Sequence, residues 1–146
     1  MLRGKFGAST GQPLFQATIS IPKLAVVREL SFVFDTGADG TTLMPTDAVA
    51  MGIDYGALSR GFQSVGVGGT ATTYQEPALL AFLSEDGRTA YGYRFALSIV
   101  APSRDAWGIP SLLGRDIIDR CRVTYDRSQS ELTGEVVSCD LQGGVG

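Results

Sequence analysis

A chain of 146 residues with 44% hydrophobic and 18% charged side chains has the proportions of one globular domain, long enough to bury a core without staples. A net charge of −3, with no basic run interleaved with aromatics, argues against a nucleic-acid partner, and no apolar stretch approaches the ~20 residues of a membrane-spanning helix. Histidine is absent, which excludes Ser-His-Asp and Cys-His catalysis and every His-ligated metal site.

Residues 1–12, rich in Gly, Ser and Thr, read as a loose N-terminal tail; they lack the apolar centre of a signal peptide, so a cytoplasmic location is expected. LFQATISI (14–21) alternates and is rich in β-formers, which predicts a strand closed by Pro22. A second extended run passes through Val26 and Val27 to LSFVFD (30–35). TTLM (41–44) is a short apolar run, after which Pro45, Thr46 and Asp47 open a short helix that Gly52 stops. FQSV (62–65) and TATTYQ (70–75) flank GVGG (66–69), a long hairpin with a glycine tip. PALLAFLS (77–84) and YGYRFALSIV (91–100) form another hairpin about the turn EDGR. Beyond a loop over 101–110, SLLGRDIIDR (111–120) joins a short strand to a short helix. CRVTYD (121–126) and ELTGEVV (131–137) close the domain as a hairpin, and residues 141–146 read as a C-terminal tail. Many short strands and two short helices mean an all-β fold, with one domain over 13–140.

The chemistry must come from what remains. Two cysteines, Cys121 and Cys139, are too few for a Cys-rich zinc site, and in this compartment a disulfide between them is the disfavoured alternative to free thiols. No metal or cofactor is expected, so hydrolytic chemistry would rest on carboxylates, hydroxyls or lysine. GVGGTA (66–71) fits G-x-G-x-x-A, but the β-branched TATTYQEP that follows cannot open the helix a dinucleotide needs. Registering Asp39-Gly40-Thr41 on the D-x-D-G-T phosphatase motif puts Gly37 where the nucleophilic aspartate belongs, and that reading fails. An apolar strand ending on Asp35 is the remaining anomaly, because a carboxylate there is costly unless it is used.

FDTGA (34–38), the glycine-tipped hairpin and LLGRD (112–116), in that order, resemble the retropepsin-like aspartic proteases, the single-lobe, retroviral-type relatives of pepsin. The resemblance spans roughly 13–138, nearly the whole chain. It implies a retropepsin-like β-barrel with a flap, and an endopeptidase whose catalytic aspartate is Asp35, with Thr36 and Gly37 shaping its loop. Ala38, Asp39, the flap residues Gly66, Val67, Gly68 and Gly69, and Leu112 would contact a peptide or protein substrate. Leu113, Gly114 and Arg115 would support the site, with Arg115 pairing Asp39 in a partly buried position. Two carboxylates sharing a site can activate water, since like charges so close cannot both ionise. The chain has one Asp-Thr-Gly motif, so the resemblance implies a homodimer with both copies of Asp35 at its axis, Asp39 being the alternative partner within the chain. The rival reading is a peptide-binding or dimerisation module of the same fold without turnover. Gly40 departs from the family pattern, and Trp107 lies in a segment, 98–110, with no pattern to carry over.

Overall fold

The computed structural model describes residues 1–59, 61–66 and 69–145. The elements run β1 (Leu2–Arg3), β2 (Lys5–Phe6), β3 (Pro13–Ile21), β4 (Val26–Phe34), β5 (Thr42–Leu43), α1 (Pro45–Ala50), β6 (Phe62–Gly66) and β7 (Gly69–Leu83). They continue with β8 (Thr89–Val100), β9 (Leu112–Leu113), α2 (Arg115–Ile118), β10 (Cys121–Asp126), β11 (Glu131–Val136) and β12 (Leu141–Gly144). Single 3-10 turns occur at Pro22–Leu24 and Tyr55–Ala57. Among the described residues, no helix is long and apolar enough to cross a membrane.

Six strands, in the order β8-β5-β9-β4-β3-β7, close back on β8 as a barrel. Closure removes the open edges that a sheet this size would expose. The long antiparallel pairs supply most of the wall: β3 with β4 from Leu14↔Val33 to Ile21↔Val26, and β7 with β8 from Thr73↔Val100 to Leu83↔Ala90. Alternation in β3 sends Phe15, Ala17, Ile19 and Ile21 inward, where they meet Phe32, Leu80, Tyr93 and Leu97 in a closed core. The two parallel contacts, β4–β9 and β5–β8, bring the ends of distant segments together at one place. That place holds Asp35.

β7 differs from the expectation of two strands broken at Pro77. It runs unbroken through the proline, which pairs with Ala96. β6 leaves β7 at Thr73 and β3 joins it at Leu79, so Pro77 has a sheet partner on one side only, an edge-like position where a missing N–H is tolerated.

The two tails are also corrected. Residues 1–12 do not hang free: Leu2 is buried and pairs with Gly134, Lys5 pairs with Leu14, and Phe6 meets the Tyr125 ring edge-on at 5.3 Å. Burial of Leu2 and the packing of Phe6 against the core outweigh a composition that suggested a loose tail. Residues 141–144 form β12 on the outer edge of β8, from Leu141↔Gly92 to Gly144↔Thr89. Here the anchor is polar. The Asp140 carboxylate accepts both Arg120 terminal nitrogens at 2.9 and 3.1 Å and the Arg94 amide at 2.7 Å.

β1, β11 and β10 make a separate three-stranded sheet against the barrel. Between sheet and barrel lies an apolar void of about 20 Å³, bounded by Leu2, Phe15, Phe34, Leu113, Val123 and Gly134. A methyl added at Gly134 would meet Leu2 at 3.7 Å and Phe15 at 3.9 Å, ordinary van der Waals contact. Gly134→Ala should therefore stabilise the fold by about 0.5–1 kcal/mol, from lower chain entropy in the unfolded state and better packing. The expected melting temperature is roughly 1–4 °C above the parent. A lower melting temperature would refute this account of the void.

Candidate active site

β4 delivers Asp35 to the site. Its last residues pair in parallel with β9, Val33↔Leu112 and Phe34↔Leu113, and the Asp35 amide donates to the Leu113 carbonyl at 3.1 Å. The chain then turns back on itself. The Gly37 amide donates to Asp35 Oδ1 at 2.9 Å, and the Ala38 amide donates to the Asp35 carbonyl at 3.2 Å. The carboxylate is half-buried, while Thr36 and Gly37 are exposed. A charge at a strand end is thereby given one fixed backbone donor and an open face.

A second segment crosses this loop from below. The Arg115 amide donates to the Ala38 carbonyl at 2.9 Å, and the Gly114 amide donates to Thr41 Oγ1 at 3.1 Å. Thr41 is fully enclosed; its hydroxyl donates to Asp116 Oδ1 at 2.7 Å, while its amide donates to both Asp116 oxygens at 3.0 Å. Three segments are locked: the Asp35 loop, the start of β5 and the start of α2. Sequence reasoning missed Thr41 and Asp116 as partners, although Asp116 is the last letter of the LLGRD motif. Ser111 and Asp47 were missed too. The Ser111 hydroxyl donates to Asp47 Oδ2 at 2.6 Å and accepts the Met44 amide at 3.0 Å, tying α1 to the approach of β9.

Arg115 Nη2 donates to Asp39 Oδ1, the ion pair expected from the sequence. The expectation that it is partly buried does not hold for the single chain: the Asp39 side chain is 93% exposed and that of Arg115 46%. Water screens such a pair, which is worth no more than about 1 kcal/mol. Arg115→Ala should consequently cost the isolated fold about 1 kcal/mol or less, because the Arg115 amide bond to Ala38 survives. Denaturant unfolding at low protein concentration checks this, and a loss of several kcal/mol would contradict it.

Leu112 is half-buried beside Asp35, Leu113 is core, and Ala38 is half-buried at the rim. The glycine hairpin is present as β6 and β7, paired from Phe62↔Thr73 to Gly66↔Gly69; Val67 and Gly68 lie outside the described residues. Loop 101–110 is pinned at three points. The Ala101 amide donates to the Thr72 carbonyl at 2.8 Å, Ala106 packs with Met44 and Val100, and the Gly108 amide donates to Thr46 Oγ1 at 3.1 Å. Trp107 stands half-exposed on this loop, at 49%.

The sequence matches no family model and no curated protein. Solved structures do match. A retropepsin-like aspartic protease from Rickettsia conorii superposes with a TM-score of 0.55, over 88% of this chain and 94% of its own, at 16% identity. EIAV protease complexed with the inhibitor HBY-793 covers 77% of this chain and 90% of its own, at 21% identity and a TM-score of 0.45. The Rickettsia likeness is one of fold. With the closed barrel, the two short helices and a half-buried aspartate where two parallel strand ends meet, the chain has the single-lobe, retropepsin-like fold.

Proposed function

We propose that the protein is an aspartic endopeptidase and that its active unit is a homodimer in which two copies of Asp35 share one site. The observation that carries the reading is the setting of Asp35, at the end of β4 on a loop sewn to β9 and α2, with one oxygen held by the Gly37 amide and the loop open to solvent. Asp39, four positions on, is engaged by Arg115, which supports a partner for Asp35 drawn from a second chain.

In the dimer the dyad holds one proton between two carboxylates. The ionised carboxylate takes a proton from water as the water oxygen attacks the peptide carbonyl carbon. The protonated one gives its proton to the carbonyl oxygen, and a tetrahedral diol forms. The carboxyl that took the water proton gives it to the amide nitrogen, the C–N bond breaks, and the other carboxylate takes a proton from a diol hydroxyl as the intermediate collapses to the product acid, so the dyad again holds one proton. Thr36 and Gly37 hold the loop in shape, Leu112 and Ala38 border the substrate, and the β6–β7 hairpin covers it as a flap. An extended peptide would bind as an added strand, read at alternate side chains.

The test pairs solution mass with a statine-type transition-state mimic. A dimer that is stabilised by the mimic and cleaves peptides supports the proposal. A folded protein that binds peptide but neither turns it over nor responds to the mimic would be the silent module instead.

A further inference from the structure

Glu76 is the one charged side chain among the described residues that is fully enclosed, at 2% exposure. It lies on β7 with the inward parity of Ala78, Leu80 and Phe82, where an apolar residue would be expected. Its carboxylate accepts the Ser59 amide at 2.6 Å and Lys23 Nζ at 3.3 Å, and the same ammonium donates to Ser59 Oγ at 3.0 Å. Burial pushes the carboxyl up, but Ser59 and Lys23 together outweigh it and hold the group below the ordinary carboxylate value. It is a charged anchor at neutral pH.

The three partners belong to separate parts of the fold. Lys23 is in the turn between β3 and β4, Ser59 is in the segment that leads into β6, and Glu76 is on the returning arm of the hairpin. β7 leaves β8 at Thr73↔Val100, and beyond that point its strand partner is β6. Glu76 is thus three residues inside the root of the hairpin. Nearby contacts press the same segment onto β7. The Tyr55 and Tyr74 rings meet at 6.0 Å, and a methyl at Gly61 would strike Thr72 at 2.9 Å and Tyr74 at 3.0 Å. An ion pair with its carboxylate buried is a poor way to gain stability, since apolar replacements often do as well. Its directional bonds are a good way to fix one arrangement.

We infer that Glu76, clasped by the Ser59 amide and Lys23, is a positioning residue that fixes the root of the β6–β7 hairpin and so the placement of the flap over substrate. The inference rests on the protease reading for its effect on substrate, but not for its effect on the hairpin. Without the clasp the lead-in segment detaches from β7, and the hairpin samples orientations that do not cover the site. Substrate capture suffers more than the chemical step, because the dyad itself is untouched.

The experiment compares Glu76→Gln, Lys23→Met and Lys23→Arg with the parent, by amide hydrogen exchange and by peptide kinetics. Lys23 is half-exposed, so replacing it opens no cavity in the core, and thermal melts establish which variants keep the fold before exchange is compared. In Glu76→Gln and Lys23→Met, exchange at Ser59 and through β6 and the start of β7 should rise about tenfold while β3 and β4 stay at parental rates, as local rather than global opening requires. KM should rise several-fold with kcat within about twofold, a loss of binding and not of chemistry. Lys23→Arg, which keeps the cation, should restore both. Parental exchange in the hairpin of Lys23→Met overturns the inference. So does faster exchange with unchanged KM, which would leave the clasp purely structural. A parent protein without peptide turnover removes the protease reading, and the exchange comparison alone then decides the clasp.

Discussion

Gly114→Ala should destabilise the protein by about 3 kcal/mol or more, the upper range for forcing extra volume into a packed site. The added methyl carbon would stand 2.4 Å from the Gly40 carbonyl carbon, 2.5 Å from its oxygen and 2.8 Å from the Thr41 nitrogen. All three are backbone atoms, so no side-chain rotation gives relief. The strain can be released only by parting the 35–41 loop from 113–116. That would stretch the Gly114 and Arg115 amide bonds to Thr41 and Ala38, and would disturb the Asp116 contacts on which the loop depends. Buried donors left unpaired add their own cost, about 1–3 kcal/mol each. A melting temperature at least 6 °C below the parent is expected, roughly 2–4 °C for each kcal/mol in a chain of this size. Gly134→Ala is the matched control, because it adds the same methyl where space exists. Parental stability in Gly114→Ala would mean that the two segments are not in contact as described, and the site built on their contact would fall with them.

The parts of this fold that were legible in the sequence are those where one residue type answers one local demand. Alternation in LFQATISI set the face of β3, because a half-buried strand must send every second side chain inward. Gly114 entered only through the resemblance of LLGRD, and the structure supplies its reason, since no other residue lets two backbones approach so closely there. Leu2–Arg3 and Lys5–Phe6 were not legible. Strands of two residues have no period, and they are held by Gly134, far along the chain, and by Leu14 across a turn. β12 is exposed at every position and is held by backbone pairing and the Asp140 clamp, so its side chains carry no apolar signal. Thr41 and Asp116, 75 positions apart, are ordinary residue types whose meaning lies in their meeting. Glu76 fell between the two expected strands, 70–75 and 77–84, and only the unbroken β7 shows an acid at the inward parity of an apolar strand. Such local inconsistencies tend to mark function rather than error.

Asp35→Asn should abolish peptide cleavage at every pH, and mixing it with parent protein should expose how many chains one site needs. Asparagine keeps the shape of the loop and can still accept the Gly37 amide through its side-chain oxygen, so the fold and the assembly should persist. It cannot carry the shared proton. A mixed dimer holds one carboxylate and one amide, and has no acid-base pair with which to activate water. When subunits exchange freely, active dimers form only by pairing of two parental chains, so activity at fixed total protein follows the square of the parental fraction. An equal mixture should retain roughly a quarter of the parental activity under random two-fold pairing. If each chain worked alone, about half would remain under the same counting. Exchange must be shown first, by mass spectrometry of differently labelled chains, because unexchanged homodimers would mimic the second outcome. Asp39 gives the contrast within the same series. If it were the true partner of Asp35 inside one chain, Asp39→Asn would abolish activity as fully as Asp35→Asn and both series would be straight lines. The exposed pair with Arg115 predicts instead a weakened but active enzyme. A quadratic fall with Asp35→Asn, together with residual activity in Asp39→Asn, assigns the dyad to two copies of one residue; a straight line with full exchange would place the whole of the chemistry in a single chain.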